Sequence, residues 1–310
     1  MKNHLLILAI FLSFPLLSQD SPQAFLPEKM GEIPDVRDFT MTSDGSNCYF
    51  TVQSAILPRS IIVGIHKVDG NWGSPYILPF SGKHSDLEPF LSSDGHRMYF
   101  ASNRPKENDL DGKPDFDIWY VDKDRSEKWS EPVNLGTPVN SEGNEFYPAI
   151  TDSGNIYFTL IDPSVGPADD IYVSIKSDTG YVAPVAIVGG VNTEGAEFNA
   201  YVHQDESFII FSGWQRADGQ GRGDLYISFN EGGKWSTAVN VGRDINSVGM
   251  EYCPFYHEAS GKLYFTSRRG TDFDLPDQFD SFDKLMELLN NNAIKSSIYS
   301  MDFSDKVERG

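Results

Sequence analysis

Cysteine is nearly missing from this sequence: Cys48 and Cys253 are the only two in 310 residues, so no disulfide framework supports the fold. Basic residues are also scarce. The 25 Lys and Arg stand against 45 Asp and Glu, a formal charge of −20, and a surface without clustered cations cannot release counterions from a polyanion. Nucleic acid and membrane insertion are therefore not expected, whereas cations, neutral glycans and protein surfaces remain as partners. Simple solubility accounts for the acidity equally well. The chain has no Gly-x-Ser-x-Gly elbow, phosphate loop or dinucleotide fingerprint, and His66, His84, His96, His203 and His257 show no paired zinc-ligand spacing.

Long apolar runs are absent too, apart from 5-LLILAIFLSFPLL-17. Preceded by Lys2 and His4 and ending at Ser18, that run is short for a bilayer span and reads as a cleaved secretory signal over residues 1–18. No cysteine lies near the cut, which argues against a lipid anchor. The mature chain, residues 19–310, is expected to be an exported, periplasmic or secreted monomer.

The stretch 141-SEGNEFYPAITDSGNIYFT-159 reads alone as a β-hairpin, but it recurs. Four acid-x-x-(Pro/Ala) segments align: 86-DLEP-89, 145-EFYP-148, 197-EFNA-200 and 251-EYCP-254. Each is followed by a turn and an apolar strand, such as 98-MYFAS-102 or 263-LYFTS-267, then by a third strand such as 117-DIWYV-121 or 224-DLYIS-228. Segments of the type 129-WSEP-132 supply an expected fourth strand, and links such as 140-NSEGNE-145, 192-NTEGAE-197 and 246-NSVGME-251 lead to the next acid. A more degenerate copy begins near Asp38, with Val36 where the acid would stand.

Acid-to-acid spacings of 59, 52 and 54 residues suit a four-stranded propeller blade and its loops. The last unit stops after three strands, while 21-SPQAFLP-27 resembles the missing fourth, so an N-terminal strand is expected to close the ring. The expected fold is all-β: a single β-propeller of five four-stranded blades, with six the alternative. A helical insertion is expected at 270–296 in the last blade, where Phe282, Leu285, Met286 and Leu289 form an apolar stripe.

This order of motifs resembles the WD-like propeller repeats of the TolB-type family. The resemblance covers nearly all of residues 35 to 303 and is clearest in 86-DLEPFLSSDGHRMYFASNRP-105 with 117-DIW-119. It implies an exported scaffold, an envelope-complex partner or a propeller module attached to an enzyme, and hence a binding protein for a protein or glycan.

Three groups of residues are candidates for function. Asp86, Glu145, Glu197 and Glu251 would gather near one mouth of the central channel, to hold a ligand or cation or to act as the carboxylates of a glycoside hydrolase. Residues shared by every unit are equally suited to a shared structural task, accepting hydrogen bonds that fix blade-to-blade register. Arg104, Arg216 and Arg269 would grip an anionic ligand or pair with the protein's own acids. In 107-ENDLDGKPDFDI-118, Asp109, Asp111, Asp115 and Asp117 are candidate calcium ligands, although Ile118 stands where a closing Glu is needed.

Overall fold

A computed structural model describes residues 21–54, 56–106, 115–162, 164, 168–270, 281–283 and 295–308. It is a five-bladed propeller. Blade 1 contains Asp35–Met41, Asn47–Gln53, Ile61–Val68 and Tyr76–Ile77. Blade 2 contains Asp86–Leu91, Arg97–Ser102, Asp117–Asp122 and Val133–Asn134. Blade 3 contains Asn144–Ile150, Ile156–Ile161, Asp170–Ser174 and Val185–Ala186. Blade 4 contains Glu197–Val202, Phe208–Trp214, Gly223–Phe229 and Val239–Asn240. Blade 5 contains Glu251–His257, Lys262–Ser267 and Ser297–Asp302, with Gln23–Ala24 from the N-terminal end as its outer strand.

That closure repeats the register of the other blades. The residue after each outer strand donates its amide to a third-strand carbonyl: Leu78 to Ile62, Leu135 to Ile118, Ile187 to Ile171 and Val241 to Leu225. Phe25 donates to Ile298 in the same way. The six-bladed alternative is thereby corrected to five. The outer strands also shift slightly from expectation. The Trp-Ser-x-Pro segments only lead into them, because proline lacks the amide a ladder needs, and pairing begins at the next residue.

The second strand of each blade alternates its side chains into the two inter-blade cores. Cys48 and Phe50, Met98 and Phe100, Ile156 and Phe158, Ile209 and Phe211, and Leu263 and Phe265 are all essentially inaccessible. Cys48 is thus an apolar filler in line with its aligned neighbours. Both thiols are free and buried, and burial pushes both up from the usual thiol range. A thiol reagent is expected to leave the native protein unmodified and to label both cysteines in denaturant; labelling at native conditions without unfolding would contradict this packing.

The repeated link is explained by its hydrogen bonds. Asn140, Asn192 and Asn246 each clamp one third-strand residue through both its amide and carbonyl: Ile118, Ile171 and Leu225. The next residue, Ser141, Thr193 or Ser247, donates its hydroxyl to the repeat acid four positions on. Residues 1–18 and nearly all of the expected 270–296 insertion lie outside the described residues; Phe282 is described and exposed. Among the described residues no helix is long and apolar enough to cross a membrane.

Candidate functional site at the propeller axis

Asp86, Glu197 and Glu251 begin their inner strands and Glu145 is second in its own, and all four are fully buried. Asp86 accepts from Ser102 Oγ at 2.6 Å and pairs with Arg104 at 2.5 Å. Glu197 accepts from Thr193 and pairs with Arg216 at 2.8 Å. Glu251 accepts from Ser247 and Ser267, with Arg269 at 3.5 Å. Each arginine also lies over aromatic rings of its own blade, Arg104 over Phe100 and Trp119, for example. Glu145 has Ser141 as its donor and no arginine among the described residues, and its Oε2 is left without a partner. Burial pushes Glu145 up to about 7. None of the four acids lines the central cavity. Asp86 and Glu251 tie their inner strands to the second strand, and Glu145, Glu197 and Glu251 tie theirs to the incoming link, so these acids act as local staples.

Register between blades is held two residues further on. Every inner strand carries a β-bulge there, and the bulged residue has positive φ: Asp38 at 61°, Glu88 at 59°, Tyr147 at 49°, Asn199 at 51° and Cys253 at 51°. Such backbone costs a non-glycine residue about 1–2 kcal/mol and is kept only where the surroundings dictate it. Here the bulge aims the amide at the preceding blade. Asp38 donates to Thr266 Oγ1, Glu88 to Thr51 Oγ1 and Asn199 to Thr159 Oγ1. In blade 2 the corresponding second-strand position is Ala101, and the Glu88 carboxylate accepts the Tyr147 amide instead, at 2.7 Å. Pro89, Pro148 and Pro254 follow the bulged residues, where the ladder asks for no amide donor.

These five positions converge on the axis, and there the repeat breaks. Asp38, Glu88 and Cys253 bring ligating atoms within 4.8 Å of one another, a grouping able to hold a metal ion, but the cation among them is Arg37. Its guanidinium bonds Asp38 at 2.6 Å, Glu88 at 2.8 Å and the Cys253 sulfur at 3.6 Å. Cys253 donates to Asp38 at 2.8 Å, and Asn199 Nδ2 donates to Glu88 at 3.3 Å. Burial, then repulsion from Asp38, drives Glu88 up to about 7, with Arg37 opposing. Of the proposed calcium ligands, Asp109 and Asp111 lie outside the described residues. Beside Asp115 and Asp117 stands Lys106, at 3.5 and 3.1 Å.

Above this floor lies a cavity of about 500 Å³ walled by all five blades. Two positions of the repeat recur in its wall. The residue after each acid, or after Val36 in blade 1, lies on the opposite face of the strand and supplies Arg37, Leu87, Phe146, Phe198 and Tyr252; the residue before the third strand supplies Ser60, Phe116 and Asp169. Arg268 also stands in the wall, its guanidinium 5.5 Å from the Tyr252 ring centre, with Arg37 at 5.2 Å from the same ring.

No protein-family model and no curated protein sequence matches the chain. Solved structures do share its fold. The TolB protein of Agrobacterium tumefaciens aligns at TM-score 0.51 and 13% identity, over 87% of this chain and 77% of that one. An α-L-arabinofuranosidase from Podospora anserina, solved with cellotriose, aligns at 0.51 and 15%, over 87% and 90%. The GH62 α-L-arabinofuranosidase catalytic domain of Coprinopsis cinerea aligns at 0.52 and 11%, over 91% and 94%. The chain spans 49% of the length of TolB from Acinetobacter baumannii. At such identities the likeness is one of fold, and it extends to TolB and arabinofuranosidases alike.

The buried carboxylates make stability pH-dependent. Glu88 and Glu145 bind protons more tightly when folded, so their contribution is complete below the unfolded value near 4.5 and is lost as pH rises through about 7. Asp44 and Asp205, lowered to about 2, act only in strong acid, where their contribution is lost as pH falls. Melting temperature is therefore expected to peak near pH 5 and to fall towards pH 8. Glu145→Gln should remove up to about 3 kcal/mol of that slope. A flat profile from pH 5 to 8 would refute the assignment.

Proposed function

We propose that this protein is an exported, non-catalytic binding propeller that takes a small ligand or an extended segment of a partner into its axial cavity. The observation that carries this reading is the saturation of the carboxylates at the cavity floor. Both Glu88 oxygens are engaged, by Arg37, Asn199 and the Tyr147 amide, and Asp38 is occupied by Arg37 and Cys253. Acid–base catalysis needs carboxylates with oxygens free to face a substrate and water.

Glycoside hydrolysis is the second reading, favoured by one observation: Glu88, held near 7, stands in the cavity wall beside a second carboxylate, Asp38, and fold neighbours include arabinofuranosidases. Against it, Asp38 lies beneath the wall, so the two do not face each other across a substrate-sized gap. The deciding experiment screens the mature protein for binding and turnover on oligosaccharides, including xylotriose and cellotriose. Saturable ligand binding without product is expected. Turnover that disappears in Glu88→Gln would replace the binding reading with the hydrolytic one.

A further inference from the structure

We infer that the axial cavity is built for a small dipolar ligand, an ammonium and a carboxylate carried on an apolar body, as in a short peptide with apolar side chains. This inference rests on the cavity being the ligand site.

Four charged side chains stand in the wall: Arg37, Glu88, Arg268 and Asp169. The first two are closed upon each other and Asp38. The other two are not. Arg268 donates Nε to Ser296 Oγ at 3.0 Å and lies over Tyr252, with no carboxylate at ion-pair distance among the described residues. The Asp169 carboxylate accepts no hydrogen bond among the described residues, and burial alone raises its pKa. They stand on blades 5 and 3, which are not neighbours in the ring, and do not pair with each other.

A partly buried charge without its counterpart is unfavourable until a ligand supplies it. An anion would satisfy Arg268 but approach a protein of formal charge −20 and leave Asp169 unmatched. A cation would do the reverse. A neutral sugar can donate hydroxyls to Asp169, yet it offers Arg268 only uncharged acceptors, weaker than a bidentate carboxylate. A zwitterion matches both groups at once. Phe198, Phe116 and Phe146 share the wall with them, the last two with ring centres 4.9 Å apart, and offer an apolar surface to the body of the ligand. The volume of about 500 Å³ falls among small-ligand sites and has room for a dipeptide.

Calorimetric titration of the mature protein with the dipeptide leucyl-phenylalanine, its N-acetylated form, its C-terminal amide and xylotriose tests the inference. The free dipeptide is expected to bind, with each cap weakening it about tenfold or more. Asp169→Asn should abolish the difference between acetylated and free amine, and Arg268→Met the difference between amide and acid. Arg268→Lys, which keeps the charge, should preserve it. A merely structural role for either residue would not produce this matching of variant to cap. No binding of the dipeptide, or equal binding of capped and free forms, overturns the dipolar ligand. Xylotriose bound equally by the wild type and both variants also overturns it while leaving the cavity reading intact, whereas failure of dipeptide and xylotriose together counts against both.

Discussion

Arg37→Met is expected to be the most damaging single substitution in the fold, destabilising it by about 3–5 kcal/mol, the range for removing one partner from a buried ion pair. Asp38, Glu88 and Cys253 all lie within reach of that one guanidinium, and all three are buried. Without it, two carboxylates face each other on the axis with no cation between them. Arg37→Lys should recover part of the loss, since an ammonium restores the charge but not the planar fork that serves several acceptors. Adding Asp38→Asn and Glu88→Gln to Arg37→Met should recover most of it, because the penalty belongs to the uncompensated charges rather than to the missing arginine. Denaturant unfolding at pH 7 measures each variant. A loss below about 1 kcal/mol for Arg37→Met would mean that the axis is hydrated and the charges screened.

The second large effect concerns closure. Removing residues 21–30 deletes the outer strand of blade 5, together with Phe25 and the buried Met30. Phe25 meets Phe39, Trp72 and Tyr264 edge-on at 5.1, 5.7 and 5.4 Å, so one side chain joins blades 1 and 5. The deletion is expected to lower stability by several kcal/mol, and it leaves Ser297–Asp302 as an open edge prone to self-association. Phe25→Ala alone should cost about 2 kcal/mol, less than a fully buried phenylalanine because Phe25 is partly accessible. An unchanged melting temperature after the deletion would disprove the closure.

The propeller was legible because its rules are local and repeated. The acid, the turn, the aromatic second strand and the Asn-Ser/Thr link recur along the chain, and Ser21-Pro22 before Gln23 matches Ser74-Pro75 before the outer strand of blade 1. What those residues do was less legible. The acids looked like a ring at the channel mouth because alternation along an inner strand does not say which face meets the axis until the bulge is known. The bulge then decides it: the acid turns into the blade, its successor lines the cavity, and the residue after that reaches the floor. Asp38, Glu88, Tyr147, Asn199 and Cys253 were overlooked as a set, although a signal was present. Five unlike residues occupy one aligned position, two beyond the repeat's acid position, the asymmetry expected of a site rather than of a scaffold. Arg37 was hidden because two of its partners, Glu88 and Cys253, lie 51 and 216 residues away in sequence and only the closed ring brings them together.

The pairing of Gln23 with Ser300 also bears on how the molecule is made. It joins segments separated by almost the entire chain, so it has the largest sequence separation of any ladder in the fold and is the contact whose ordering is slowest to be rewarded. During synthesis four blades can assemble while the first strand waits unpaired for its partner, an open arc with two sticky ends. A circular permutant opened at the Ser153-Gly154 turn, with the present ends linked, would turn this latest contact into a local one. The same native ring would then be reached by a different route, with the vulnerable seam moved into blade 3.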